Sequence, residues 1–259
     1  MMSKTTPLLK IAGAGALALM AFFTTTFPME PRFSFVSSLM VIIFAIPCYV
    51  GVIQSLGKRN GVQLILLMCV FAIVLENIAI ITGFPYGRFE YRSFIGQNIG
   101  HVPWTVGFAW TPILFGALSL TRKYLSSSLF PAHTVVANAV ISIVATAALM
   151  TLFDVVLDPG SVSLGFWVWE NSAGFYGVPW SNFFGWLLSS ACAAVAVQIF
   201  LKLKRLEAAQ FSPLMHSSFI AMLVFWTAVC MFEQLWIPGL IGCVFLAKIK
   251  IVGGYSGQL

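Results

Sequence analysis

Apolar residues dominate this chain in long uninterrupted runs rather than in alternation with polar ones. A run of about 20 apolar residues is long enough to cross the ~30 Å hydrocarbon core of a bilayer. The pattern predicts seven such helices, over residues 9–27, 34–56, 62–82, 102–120, 134–156, 181–201 and 214–234. Continuous runs favour helices over membrane barrel strands, in which outward and inward residues alternate. We therefore predict an all-α, polytopic transmembrane bundle that forms one domain over residues 1–259.

A shorter apolar run covers residues 240–247, after Pro238-Gly239, and is too brief to cross a bilayer alone. It predicts either a re-entrant segment or the end of an eighth helix that begins near Glu233. The first long run resembles a signal peptide, but it has no convincing small-residue cleavage site, so we count it as a helix.

Composition supports the membrane assignment. Hydrophobic residues make up 59% of the chain and charged residues only 8%, whereas soluble domains carry about 25% charged residues. The net charge of +6 could suit nucleic acid, but the basic residues lie in the connections between the runs, where they mark topology instead. We therefore expect no nucleic-acid partner.

Lysine and arginine predict the orientation, because cytoplasmic connections carry an excess of both. With the N-terminus in the cytoplasm, nine of them lie inside and three outside. The inner set is Lys4, Lys10, Lys58, Arg59, Arg122, Lys123, Lys202, Lys204 and Arg205, and the outer set is Arg32, Arg88 and Arg92. Lys248 and Lys250 join the inner set only if an eighth crossing exists. We predict a multi-pass protein of the cell membrane with its acidic and aromatic loops on the outer side.

Acidic residues collect at that outer end. Glu76 and Asp154 fall inside predicted spans, where a carboxylate costs about 2.5–3.5 kcal/mol, and such a residue is a candidate for function. Asp158 follows Asp154 by one helical turn, so their carboxyl groups share a helix face and repel each other when both are ionised. We expect one of them to keep its proton, as an acid catalyst requires. The alternative for Asp158 is that it only begins the Asp-Pro-Gly turn.

Two outer connections, after the third and fifth runs, are long and aromatic, and they resemble each other. The first leads into Val102-Pro103-Trp104 and the second into Val178-Pro179-Trp180, an offset of 76 residues. Glu76 and Asp154 precede them at an offset of 78. The pattern predicts a parallel internal repeat, as transporters also use. The aromatic residues suit either a membrane interface or the stabilisation of a cation.

The five cysteines lie in apolar stretches without a C-x-x-C pair or other metal-binding spacing. Cysteine in such surroundings usually behaves as a small hydrophobic residue. We therefore expect neither disulfides nor a metal site.

A longer motif covers about residues 70–190. It consists of Glu76-Asn77, Thr82-Gly83-Phe84-Pro85-Tyr86-Gly87-Arg88-Phe89-Glu90-Tyr91, Val102-Pro103, Trp110, Asp154, Asp158-Pro159, Gly165-Phe166-Trp167-Val168-Trp169 and the stretch from Gly174 to Trp186. This motif resembles the membrane-embedded carotenoid biosynthesis proteins, whose characterised members are carotenoid 1,2-hydratases. Tyr86 and Phe89 stand where the family pattern has Phe and Tyr, which leaves the roles of these two residues open.

The resemblance implies hydration, without a cofactor, of the terminal isoprenoid double bond of a long acyclic polyene dissolved in the bilayer. It implies that either Asp154 or Glu76 is the acid, and that the other, with Asp158, acts as base and orients water. The residues implied to bind substrate are Tyr86, Arg88, Glu90, Tyr91, Trp110, Trp167, Trp169, Glu170, Tyr176, Asn182 and Trp186. Other carotenoid biosynthesis enzymes are implied as partners.

Two other functions fit the same residues. Buried acids on a repeated scaffold would also serve a proton- or cation-coupled transporter, although the acids are confined to the outer half. A non-catalytic membrane protein that assembles pigment enzymes is the other alternative.

Overall fold

Helices account for most of the chain in the computed structural model, which describes residues 7–27, 30–125 and 135–255. Over these ranges the helices are α1 (Pro7–Thr26), α2 (Ser34–Leu56), α3 (Lys58–Thr82), α4 (Val106–Leu125), α5 (Val135–Ser163), α6 (Trp180–Leu203), α7 (Leu214–Phe232) and α8 (Trp236–Tyr255). The predicted all-α bundle is confirmed. The short apolar run at residues 240–247 belongs to an eighth helix.

Five of the described helices are long and apolar enough to cross a membrane. They cover residues 31–56, 58–82, 137–163, 180–203 and 214–232. The chain is therefore a multi-pass membrane protein, as the apolar runs predicted. Many large apolar side chains on these helices are exposed, which is the pattern of helices that face lipid rather than water.

Helix α4 is the centre of the bundle and packs against α2, α3, α5, α6 and α7. Its side chains are buried along nearly the whole length, from Val106 to Thr121. Gly116 allows α7 to come close, because a Cβ at this position would collide with the side chain of Phe219. The centre of the bundle is therefore tightly packed, and the two aromatic connections lead into α4 and into its neighbour α6.

Those two connections contain short strands, which the apolar pattern did not predict. Between α3 and α4 lie β1 (Phe89–Tyr91), β2 (Asn98–Ile99) and β3 (Val102–Pro103); between α5 and α6 lie β4 (Trp167–Trp169), β5 (Gly174–Phe175) and β6 (Val178–Pro179). Because β3 occupies the start of the predicted span at 102–120, α4 begins four residues later, at Val106.

The strands repeat as the sequence motif does. β2 pairs with β3 in one connection and β5 with β6 in the other, at the same offset of 76 residues. β1 pairs antiparallel with β4, with Phe89 opposite Trp169, Glu90 opposite Val168 and Tyr91 opposite Trp167. Since β1 and β4 occupy equivalent positions at an offset of 78, this symmetric register relates the two strands by a local two-fold axis. The internal repeat is thus visible in the fold.

Candidate active site

Helices α3 and α5 bring three carboxyl groups into the interior. Glu76 is 6% exposed, and Asp154 and Asp158 are each 1% exposed. α5 continues past Pro159 to Ser163, so the two aspartates lie one turn apart on one helix face, as predicted. We call these three residues the acid cluster.

Asn182, near the start of α6, joins the two aspartates. Its Nδ2 donates hydrogen bonds to Oδ2 of Asp154 at 2.7 Å and to Oδ2 of Asp158 at 2.6 Å. An amide has two N–H donors on this nitrogen, so it can serve both carboxyl groups at once. Asn182 thereby holds two mutually repelling acids in one fixed arrangement.

The two aspartates differ in their remaining oxygens. Oδ1 of Asp158 accepts a hydrogen bond from the indole Nε1 of Trp167 at 2.6 Å. N–H donors on both oxygens stabilise the ionised form of Asp158. Oδ1 of Asp154 is buried and has no hydrogen-bond partner among the described residues. Asp154 therefore has an oxygen that is able to carry a proton.

Glu76 has its own donor. The hydroxyl of Tyr91, on β1, donates to Oε2 of Glu76 at 2.7 Å. Burial raises the pKa of Tyr91, and the neighbouring Glu76 raises it further. The phenol therefore stays protonated and remains a hydrogen-bond donor.

An aromatic wall stands beside the acid cluster, formed by Phe89 and Tyr91 of β1 and by Trp167 and Trp169 of β4. The pairing of the two strands sets the rings against each other, with centroids 4.8 Å apart for Phe89 and Trp169 and 5.7 Å apart for Tyr91 and Trp167. Neither loop could form this wall alone, because each contributes half of it.

Trp186 on α6 extends the aromatic surface, with Trp110 at 6.0 Å and Tyr86 at 6.5 Å between ring centroids. Tyr86 is fixed by a hydrogen bond from its hydroxyl to Ser189, at 2.9 Å. Gly185 makes room for it, because a Cβ there would lie only 2.5 Å from the Tyr86 ring.

The acid cluster and the aromatic wall line a cavity of about 790 Å³. Its other walls are mainly apolar side chains from α1, α2, α4 and α7. The indole nitrogens of Trp110 and Trp169 are buried there without a hydrogen-bond partner among the described residues. Trp169 lies near Asp158 but outside hydrogen-bond geometry. The residues around the largely apolar cavity thus include three buried polar atoms without a partner among the described residues, namely two indole N–H groups and Oδ1 of Asp154.

Comparison with known proteins shows the family of this chain. The family model described as "Carotenoid biosynthesis protein" matches residues 33–249, which include the acid cluster and both aromatic connections. The chain belongs to the carotenoid biosynthesis protein family. A bisanhydrobacterioruberin hydratase of Haloarcula japonica is 29% identical over 198 residues, covering 76% of this chain and 64% of that protein. The chain therefore spans less than two thirds of that relative's length. No solved structure matches.

In this member of the carotenoid biosynthesis family, the structure brings ten of the candidate residues to one cavity. They are Glu76, Tyr86, Tyr91, Trp110, Asp154, Asp158, Trp167, Trp169, Asn182 and Trp186. The other four, Arg88, Glu90, Glu170 and Tyr176, have exposed side chains and do not line the cavity. Among the described residues, no group of three or more His, Cys, Asp or Glu is placed to hold a metal ion.

Several lining residues were absent from the sequence-based set. Phe89 alternates with Tyr91 on β1, and a strand prediction would have found it. Phe166 contacts Trp226 of α7, with ring centroids 6.1 Å apart. No sequence signal pointed to α7, because its contribution depends on how the helices pack.

Proposed function

We propose that this member of the family is a carotenoid hydratase that adds water across the terminal isoprenoid double bond of a long acyclic polyene. Family membership and the similarity to a bisanhydrobacterioruberin hydratase support a role in modifying carotenoids. The observation that carries the proposal is Asp154, which lines an aromatic, largely apolar cavity: one of its oxygens is held by Asn182, and the other is buried without a hydrogen-bond partner among the described residues.

In the first step, protonated Asp154 donates its proton to the less substituted carbon of the double bond. The π electrons form the new C–H bond, the neighbouring carbon becomes a tertiary cation, and Asp154 becomes a carboxylate. Asn182 already donates to Asp154 and continues to stabilise it after the proton has left.

The cation then lies beside groups that stabilise positive charge. Ring faces attract cations by about 0.5–2 kcal/mol each, and the aromatic wall provides several. Asp158, held as a carboxylate by Asn182 and Trp167, adds a fixed negative charge. This arrangement favours the charged intermediate over the neutral polyene.

Water completes the addition. Its oxygen forms a bond to the tertiary carbon, and Glu76 takes the proton that the water releases, giving a tertiary alcohol. Tyr91 orients Glu76 for this role. Transfer of the proton from Glu76 back to Asp154, through water in the cavity, restores the starting state. The reaction consumes one polyene and one water and involves no change of oxidation state overall.

The test is to express the chain in a host that accumulates an acyclic carotenoid and to look for the mass of one added water. Asp154→Asn and Glu76→Gln should each lower hydration by about 10²–10⁴-fold, the usual effect of losing a general acid or base. Asp158→Asn should have a milder effect, because it alters the charge beside the cation without removing either proton carrier.

Glu233→Gln is the matched control, since Glu233 follows α7 at the same end of the bundle and does not line the cavity. It should keep wild-type activity. Full hydratase activity in both Asp154→Asn and Glu76→Gln would refute the mechanism. Unchanged product formation in all three acid variants would favour a non-catalytic assembly role.

Proton or cation transport is the second candidate, because polar contacts continue along α4 beyond the acids. The hydroxyl of Tyr49 lies 2.7 Å from Oγ1 of Thr111, and Oγ of Ser119 lies 3.0 Å from Nδ1 of His216. A flux assay in liposomes separates this candidate from hydration: a transporter moves ions without altering the carotenoid, whereas a hydratase alters the carotenoid without a flux.

A further inference from the structure

The cavity continues away from the acid cluster toward the first two helices. Side chains from both helices line this part: Ala16, Leu19, Met20, Phe23 and Thr24 on α1, and Val36, Ser37, Met40, Val41 and Phe44 on α2. Met222, Phe225 and Trp226 of α7 lie behind them. This part of the cavity is apolar almost throughout, so the acids are confined to the end of the cavity that lies farthest from α1 and α2.

The reason for this extension is the way in which α1 and α2 pack. Each lies against α7, with Phe22 on Phe232 at 5.6 Å and Phe44 on Phe225 at 5.7 Å between ring centroids. Over their described residues, α1 and α2 make almost no contact with each other. The two helices therefore stand on either side of α7 and leave a gap between them, which we call the lateral gap.

The lateral gap is open to the surroundings of the bundle. Leu19 is 56% exposed, Phe23 50% and Val36 51%, although all three line the cavity. In a multi-pass membrane protein, exposed apolar side chains on the helices face the hydrocarbon of the bilayer. One continuous surface thus leads from the lipid to Asp154.

We propose that the lateral gap is the port through which the polyene reaches the acid cluster from the bilayer. The proposal rests on the hydratase function proposed above and adds the position of the substrate. The end group lies at the acids and the aromatic wall, and the rest of the chain runs between α1 and α2 into the lipid.

Physical chemistry favours this route over one through the outer loops. Moving a polyene through water is unfavourable in proportion to the apolar surface that becomes exposed. The lateral gap avoids that exposure, because the substrate passes from lipid to apolar side chains. Water needs a different path. The acid cluster lies beside the two aromatic connections, so water can reach it from that side.

A reversible block of the lateral gap tests the proposal. Val36→Cys and Leu19→Cys are placed singly in a chain whose five native cysteines have been replaced. The protein is reconstituted in liposomes that contain an acyclic carotenoid and is treated with a bulky aromatic methanethiosulfonate. Intact-protein mass spectrometry verifies the modification. Leu39→Cys is the control, because Leu39 is also exposed on α2, one turn from Val36, but does not line the cavity.

Modification at Val36→Cys or Leu19→Cys should lower hydration at least about tenfold, because the added aromatic group fills the gap through which the polyene passes and raises the barrier to its entry, and a thiol reductant should restore the rate. Modified Leu39→Cys should stay at the unmodified rate. Full activity of both modified port variants would overturn the proposal. If the cysteine-free chain is inactive, Val36→Trp and Leu19→Trp in the native chain, compared with Leu39→Trp, provide the same test.

The two proposals fail in different ways. If the unmodified proteins and the native chain form no hydrated carotenoid, the hydratase proposal is wrong. If they form it and both blocked variants continue to do so, hydration stands and the lateral gap is not the port.

Discussion

Asn182 holds two carboxyl groups that lie 28 and 24 residues before it in the chain. The relation between Asp154 and Asp158 was predictable, because four residues make about one helical turn. The contacts of Asn182 and of Trp167 with these acids were not predictable, since they depend on the packing of α6 and β4 against α5. The sequence thus pointed to candidate residues, and the structure shows which of their atoms are paired and which have no partner among the described residues.

Asn182→Val tests the importance of this amide. Valine is the residue at the equivalent position of the first half, Val106, which lies 76 residues earlier. The substitution leaves Oδ2 of both aspartates without its donor, and an unsatisfied buried polar group costs about 1–3 kcal/mol. We expect hydration to fall about tenfold to a hundredfold, because 1.36 kcal/mol corresponds to a factor of ten in rate. Product yield per membrane-inserted protein measures the effect.

Ser190→Ala is the control for this prediction. Ser190 is buried on the same helix and its hydroxyl has no hydrogen-bond partner among the described residues. This variant should keep its activity and its thermal stability in detergent. A wild-type rate in Asn182→Val would show that the amide is dispensable.

At the level of elements, the apolar runs predicted the helices well. In lipid, the backbone N–H and C=O groups of each long run must pair with each other, and a helix allows this. The sequence did not decide between an eighth helix and a re-entrant segment, because Pro238 interrupts the apolar run. Pro238 lies in the first turn of α8, where a missing N–H costs nothing, since these amides have no partner within a helix.

The strands were not predictable, because they are only two or three residues long and β1 pairs with a strand in the other half of the chain. The two halves nevertheless differ in sequence at the acid cluster. At an offset of 78 the counterpart of Asp158 is Ile80. The repeat therefore supplies a symmetric frame, and the second half carries the additional carboxylate.

Val168→Pro tests whether the pairing of β1 with β4 positions the aromatic wall. Val168 lies opposite Glu90 in the middle of the pair, and its side chain is exposed and outside the cavity. Proline lacks the N–H and disturbs a strand, so Trp167 and Trp169 should lose their orientation. Hydration should fall at least about tenfold, the value of 1.36 kcal/mol of transition-state stabilisation.

Val168→Thr keeps both the strand and the N–H and should remain near the wild-type rate. Activity is measured as hydrated carotenoid in the expression host, and the amount of inserted protein is determined in parallel. If Val168→Pro is as active as Val168→Thr, the wall does not depend on the strand pair.

At the scale of the whole molecule, α4 forms the packed centre, the acids and loops occupy one end, and the lateral gap opens on the side between α1 and α2. The orientation in the membrane is predicted only from the distribution of lysine and arginine. α8 runs back from the end that holds the acids, so Lys248 on α8 joins the basic residues at the opposite end. Lys248 thus adds to the excess of lysine and arginine at that end of the bundle. This excess predicts that the end lies in the cytoplasm.

Labelling of single cysteines with an impermeant maleimide tests this orientation, in a background without the native cysteines. Asn171→Cys lies in the exposed connection between β4 and β5, and Glu207→Cys lies in the exposed connection between α6 and α7. We expect label on Asn171→Cys in intact cells and on Glu207→Cys only after the membrane is permeabilised. The reason is that Lys202, Lys204 and Arg205 beside Glu207 resist translocation across the membrane. Label on Glu207→Cys in intact cells would show that the orientation is the opposite one. The acid cluster would then lie at the cytoplasmic side, and the water for hydration would come from the cytoplasm.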